Sequence, residues 1–272
     1  MTILDGAVLG AIQGLTEFLP ISSSGHLIFM REVLHLNTSN GLAFDAILQL
    51  GTVLAALVYF RQSLFQLLVI FFKIVSSKKD DVAETDRALL SSLVIGTMPA
   101  LVLGILLEKK METLFRSPWL VAIALITGSI LLIIAEKSSR ARSTNITIRQ
   151  GWWVGCFQTL ALIPGVSRSG ATISGGMLLG LNRETATRYS FLLSLPIITG
   201  SGLKKLVDVL KDGTGGIEAL PLMIGFSVSF IVGIVCIHYL LAYLKKHTLY
   251  AFVWYRCILA LLVLTLLVLK IV

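Results

Sequence analysis

Apolar stretches of membrane-spanning length follow one another along this chain, at roughly 42–60, 88–107, 118–136, 184–203, 217–242 and 249–271. A helix needs about 20 mostly apolar residues to cross the hydrocarbon of a bilayer. The fourth stretch is the weakest, because it carries Arg188 and Pro196. Only 14% of the 272 residues are charged and 56% are hydrophobic, whereas a soluble domain has about 25% charged residues. So few charges cannot cover a water-facing surface. A soluble globular fold, a disordered chain and a disulfide scaffold are therefore excluded, and membrane lipid is the expected solvent. In a soluble protein a net charge of +8 would suggest nucleic acid. Here Lys and Arg are read as markers of cytoplasmic loops, and no nucleic acid is expected. Cys156, Cys236 and Cys257 lie inside apolar runs without a CxxC pair and read as packing residues. The segment MTILDGAVLG lacks a basic region and a cleavage site, so a cleaved signal peptide is not expected.

Two further apolar regions, 3–36 and 149–182, fit no simple span. Each is broken in its middle, by EFLPISSSGH (17–26) and by IPGVSRSGAT (163–172). Pro and Gly stop a helix at such points, and the flanking arms are too short to cross alone. The pattern is that of a re-entrant hairpin, tolerated at membrane depth where it is buried in protein or lines a wet cavity. At an offset of 145 the regions match: Gly10, Gln13, Leu15, Ser22, Ser24 and Gly25 recur as Gly155, Gln158, Leu160, Ser167, Ser169 and Gly170. The chain reads as a duplication within one membrane domain, 1–272. Its first repeat is 1–137, with hairpin 3–36, and its second is 146–272, with hairpin 149–182. Each repeat has one hairpin and three spans, and an odd number of spans inverts the second copy against the first. The expected fold is all-α, with six spans and two re-entrant hairpins. The segment 61–75 reads either as an interfacial helix or as an extension of the neighbouring span. Thirteen Lys and Arg fall on the side carrying 61–87, 137–149, 183–188 and 245–246, and eight on the other. That asymmetry makes the first side cytoplasmic and puts both termini and the mouth of the first hairpin outside.

The breaks hold the ionisable groups that apolar surroundings penalise: Glu17, His26 and Arg168, together with Ser22, Ser23, Ser24, Ser167, Ser169 and Ser174. A Gly-Ser break ahead of a new helix presents free backbone N–H groups and a positive helix end to an anion. Arg168 adds a planar fork for phosphate oxygens. His26 reads as a proton carrier, Ser23 as a nucleophile and Glu17 as an acid, base or metal ligand. Gln13 and Glu17, four apart, share a helix face and suit a hard cation such as Mg²⁺ or Ca²⁺. Ser and Gly in membrane helices more often serve close packing. Their concentration at two matching breaks argues for a site instead. Asp45 and Gln49 either line the cavity or satisfy hairpin backbone. His238 and Arg256 have no polar cluster near them in sequence and read as structural, and His35 and His247 as loop or interface residues.

Both breaks also carry a resemblance. QGLTEFLPISSSGH (13–26) and PGVSRSGAT (164–172) resemble the two motifs of the undecaprenyl-diphosphate phosphatase family, the bacterial bacitracin-resistance proteins. Gln13 stands where Glu is common in that family, and Ser24 where Thr occurs. The resemblance implies an integral enzyme of the bacterial cytoplasmic membrane. Such an enzyme dephosphorylates a C55 isoprenoid diphosphate lipid to the monophosphate, needs a divalent cation, and opens its site to the outer face. A homodimer is compatible with that reading. The expected arrangement has Ser22, Ser24, Gly25, Ser167, Ser169, Gly170, Thr172 and Arg168 around the diphosphate. Glu17, with Gln13, holds the cation. Either Ser23 attacks the terminal phosphorus with His26 handling the proton, or His26 itself attacks. A prenyl-phosphate flippase would use the same Arg and Ser cluster without needing Ser23 or His26 as reactive groups.

Overall fold

The computed structural model describes residues 1–34, 36, 41–76, 81–113, 117–138, 143–212 and 219–269. His35 and the basic residues Lys78, Lys79, Arg116, Arg140, Arg142 and Lys270 counted above lie outside these, as do the side chains of Lys109, Lys110 and Lys205. The described residues form eleven α-helices: α1 (Ile3–Thr16), α2 (Ser23–Val33), α3 (Gly41–Tyr59), α4 (Arg61–Val75), α5 (Glu84–Thr113), α6 (Pro118–Ser138), α7 (Ile148–Thr159), α8 (Arg168–Leu178), α9 (Arg183–Asp212), α10 (Ala219–Leu244) and α11 (Tyr250–Val268). A single 3₁₀ turn, Leu160–Leu162, follows α7. Among the described residues there is no strand, only an isolated bridge between Ser143 and Leu181.

Among the described residues four helices are long and apolar enough to cross a membrane: α5 over Glu84–Leu107, α6, α10 and α11. A fifth appears if α3 and α4, bent by 74° at Phe60, count as one. The protein is thus a multi-pass membrane protein, all-helical over the described residues, of whose six expected spans four pass alone among those residues. The other two expected spans are α3, which enters together with α4, and α9. α4 is a separate helix rather than a straight extension of α3, and α9 carries Arg183, Glu184 and Arg188 in its first turns and Lys204 and Lys211 toward its end.

Both broken regions fold as short helix, break, short helix. α1 and α7 open with capping boxes, Thr2 with Asp5 and Thr147 with Gln150, in which side chain and backbone satisfy each other's orphan donors. After the breaks, Ser22 and Ser167 cap α2 and α8 with positive φ, 73° and 75°. That region costs a non-glycine residue of order 1–3 kcal/mol. Each serine hydroxyl offsets part of the cost by accepting from the N–H three residues on, Gly25 at 3.3 Å and Gly170 at 3.2 Å.

Packing crosses between the halves. α1 lies against α10 so closely that a Cβ on Gly10 would stand 2.3 Å from the carbonyl oxygen of Gly225. α7 lies equally close to α5, where a Cβ on Gly155 would stand 2.1 Å from the carbonyl oxygen of Gly96. α6 pairs with α11 and α3 with α9. The largest apolar core joins Phe18 of the first break to Ile173, Met177, Phe191 and Ile237, with the Phe18 and Phe191 rings edge-on at 5.4 Å. At one end Glu136 pairs with Arg183 and accepts from the Leu249 N–H, tying α6 to the starts of α9 and α11.

Candidate active site

The two breaks meet. The Gly165 N–H donates to Ser22 Oγ at 3.0 Å, and Ser169 Oγ donates to the Leu19 carbonyl at 2.9 Å. Each break thereby satisfies a polar group the other leaves open, as a non-helical segment at membrane depth requires.

Glu17 ends α1 with its side chain turned inward and 5% of its surface exposed. Its Oε1 receives Arg168 Nη2 from the opposite break at 2.8 Å. Its Oε2 receives Ser23 Oγ at 2.6 Å and Gln13 Nε2 at 2.8 Å. Gln49 Nε2 approaches Oε1 at 3.5 Å, and Thr52 stands 3.5 Å from the Gln13 amide. A short bond from a neutral hydroxyl to a carboxylate is charge-assisted and polarises that hydroxyl. The nucleophile candidate and a cation that can grip phosphate therefore share one carboxylate.

The remaining expected residues surround this centre at different depths. Ser24 is exposed beside Ser22, with its Oγ 3.4 Å from that of Ser22. Ser167 and Ser169 are buried, their hydroxyls 3.1 Å apart. Gly25 and Gly170 are buried at the first turns of α2 and α8, and their N–H groups are already taken by the capping hydroxyls of Ser22 and Ser167 rather than offered to a ligand. Thr172 sits lower. Fully buried, it donates to the Arg168 carbonyl at 2.8 Å and meets Ser190 Oγ at 2.5 Å, so it orders the base of α8 rather than facing a ligand. Ser174 is buried away from this network with no partner for its hydroxyl.

His26 points elsewhere. Its Nδ1 lies 2.7 Å from the Ser22 carbonyl, which can only accept, so Nδ1 carries the proton. Nε2 shares a hydrogen bond of 2.7 Å with the Tyr255 hydroxyl, the two ring planes within 7° of parallel. The imidazole does not share in the bond between Ser23 and Glu17.

Of the two residues left open between cavity and backbone, Gln49 reaches Glu17, while Asp45 forms a two-toothed ion pair with Arg31, at 2.7 and 2.5 Å. Sequence reasoning missed two further neighbours. Tyr255 gave no signal, being one aromatic among many. Arg256 reads as structural in the sequence, yet it lies where both breaks converge, bonded to Pro20, Gly165 and Val166. The signal that could have found it was the insertion penalty of a lone Arg in the apolar run 249–271.

Among the described residues no three His, Cys, Asp or Glu side chains gather as a metal site. Glu17 is the one carboxylate at the centre among the described residues, flanked by the amides of Gln13 and Gln49. Such a set fits a hard divalent cation in the mode that uses one protein carboxylate and completes its shell with substrate phosphate oxygens. It does not fit a tightly held resident metal.

A family described as bacitracin resistance protein BacA matches residues 6–262, which include both breaks and every helix set out above except the tips of α1 and α11. The chain belongs to this family. A relative from Rubrobacter xylanophilus (strain DSM 9941 / JCM 11954 / NBRC 16129 / PRD-1), named Undecaprenyl-diphosphatase, is 42% identical over 99% of this chain and 100% of its own length. Relatives of the same name from Geotalea daltonii and Micrococcus luteus are 43% and 40% identical, covering 94% and 95% of this chain and 95% of their own lengths in both cases. The match to this family runs through nearly the whole chain and includes both breaks.

Proposed function

We propose that this chain is a membrane phosphatase that hydrolyses undecaprenyl diphosphate to undecaprenyl phosphate and inorganic phosphate. That reaction recycles the lipid carrier of cell-wall synthesis and confers bacitracin resistance. One observation carries the chemistry: a serine hydroxyl donates to a buried carboxylate that is held from the other side by an arginine reaching over from the second break.

In this reading the diphosphate lies over the starts of α2 and α8. Arg168 and the free N–H groups of those first turns hold its oxygens, assisted by Ser24, and its prenyl chain runs out among lipid. Ser23 Oγ attacks the terminal phosphorus while its proton passes to Glu17. The bond to the bridging oxygen breaks, undecaprenyl phosphate leaves, and water hydrolyses the phosphoserine. His26, held with Nε2 toward Tyr255, takes part in returning a proton rather than in the attack, since nothing joins it to Ser23 before substrate arrives. Glu17 beside Gln13 would hold a divalent cation such as Mg²⁺ or Ca²⁺, which would supply charge neutralisation. Most of the demand on the protein is positioning and electrostatic stabilisation.

The same reading completes the architecture as an inverted repeat of two hairpins and six spans, α3, α5, α6, α9, α10 and α11. Its supports are the capping boxes, the positive-φ serines and the exchanged packing, all recurring in both halves at equivalent positions. The excess of Lys and Arg orients the chain in the bacterial cytoplasmic membrane with the first hairpin and the site opening outward.

The test is phosphate release from a prenyl diphosphate by purified protein, with and without EDTA, beside Ser23→Ala. Release that EDTA suppresses and Ser23→Ala abolishes is the expected result. A Ser23→Ala variant with full activity would overturn the serine mechanism. Absence of any release by the unaltered chain would overturn the phosphatase reading.

A further inference from the structure

Arg256 is fully buried. Its guanidinium donates to the Pro20 carbonyl at 3.0 Å in the first break, and to the Gly165 and Val166 carbonyls, both at 3.0 Å, in the second. On α6 it donates to the Ala124 carbonyl at 3.2 Å, the Leu125 carbonyl at 3.1 Å and Ser129 Oγ at 3.1 Å. These acceptors are neutral. Among the described residues Arg256 forms no ion pair with a carboxylate. A buried charge without a counter-charge is costly in a protein interior and more so at membrane depth. Carbonyl dipoles offset only part of that cost.

The charge balance around the breaks shows what such a cation does. Arg168 and Glu17 cancel, being paired at 2.8 Å. His26 lies between the Ser22 carbonyl and the Tyr255 hydroxyl and is not the partner of Arg256. Arg256 is then a guanidinium without a counter-charge, bonded directly to the carbonyls of both breaks.

We infer that Arg256, not Arg168, supplies the uncompensated positive potential that draws a multiply charged phosphate anion to the two breaks, while its carbonyl bonds hold the breaks in register. It acts through the backbone it carries and through its field, and touches no substrate atom. Arg168 makes the direct contacts but enters the resting site already neutralised. The inference rests on the phosphatase reading for the identity of the anion. Its own test is anion binding, which does not require turnover.

Substitution of Arg256 itself risks unfolding, so the decisive pair changes its neighbour. Ser129→Asp places a carboxylate beside Arg256 Nε and leaves the guanidinium and its carbonyl bonds in place. Ser129→Asn has nearly the same shape without the charge. Binding of inorganic pyrophosphate to each full-length variant is measured by calorimetry in EDTA, with the thermal midpoint as a check of folding. The Asp variant is expected to bind pyrophosphate at least tenfold more weakly than the Asn variant, with midpoints alike. Arg256→Lys, which keeps the charge, is expected to bind more tightly than Arg256→Met. Equal pyrophosphate affinity in the Asp and Asn variants would overturn the inference and leave Arg256 a purely structural tie. Failure of the unaltered protein to hydrolyse a prenyl diphosphate, with the Asp and Asn variants still differing in affinity, would instead count against the phosphatase reading alone.

Discussion

Replacing Glu17 by Gln changes one charge and almost no volume, and the geometry around it gives the change a two-part signature. The Glu17 side chain is 2% exposed and the Arg168 side chain 16%, so their ion pair is a buried one. Removing one partner of such a pair leaves an uncompensated charge worth about 3–5 kcal/mol. In Glu17→Gln the new amide oxygen can still accept from Arg168, and Arg168 retains some water, so the effect falls below that range, at about 2 kcal/mol. At about 1.4 kcal/mol per factor of ten, the freed guanidinium should tighten binding of inorganic pyrophosphate, measured in EDTA, by about tenfold or more. The same substitution removes the group that accepts from Ser23 Oγ at 2.6 Å. Loss of a positioned general base costs about 10²–10⁴ in rate. The expected result is therefore a kcat at least about 100-fold lower together with tighter binding of the anion. If kcat and pyrophosphate affinity fall together, Glu17 is not competing with the anion for Arg168. If kcat stays within about threefold, Glu17 does not accept the serine proton.

Two other perturbations probe the scaffold and the imidazole. Gly155→Ala drives a Cβ to 2.1 Å from the Gly96 carbonyl oxygen, a backbone atom that can yield only by parting α5 from α7. Such overpacking costs about 1–3 kcal/mol, so the thermal midpoint should drop, while Gly200→Ala, with open space around it, should leave it unchanged or raised. Tyr255→Phe removes the hydroxyl on His26 Nε2 and keeps the ring beside it. One hydrogen bond of about 0.5–1.5 kcal/mol corresponds to a kcat loss of about two- to tenfold. Carbethoxylation of His26, followed by peptide mass mapping, should quicken as Nε2 is unmasked. Unchanged labelling would mean that Tyr255 does not cover that nitrogen.

The residues that could do chemistry were legible because a membrane protein has so few reasons to keep them. Glu17, His26, Arg168 and the serines stood out against apolar surroundings, and the match at an offset of 145 tied the two breaks together. Less legible was how they are joined. Two sequence breaks of similar composition do not say which hydroxyl faces which carboxylate. The serine pointed at Glu17, the imidazole turned to Tyr255, and Thr172 sank beneath the site.

Sequence by itself determined the solvent, the helical class, the family and the two places where the helices must break, because each follows from local composition. Low charge requires lipid, and Pro, Gly and Ser end helices wherever they cluster. Tertiary structure decided the pairing of Arg168 with Glu17 across 151 positions, the bend between α3 and α4, and the burial of Arg256 between the breaks. These depend on which helix packs against which. A side chain's partners in the low-dielectric interior come from segments far away in the chain, and no local pattern encodes them.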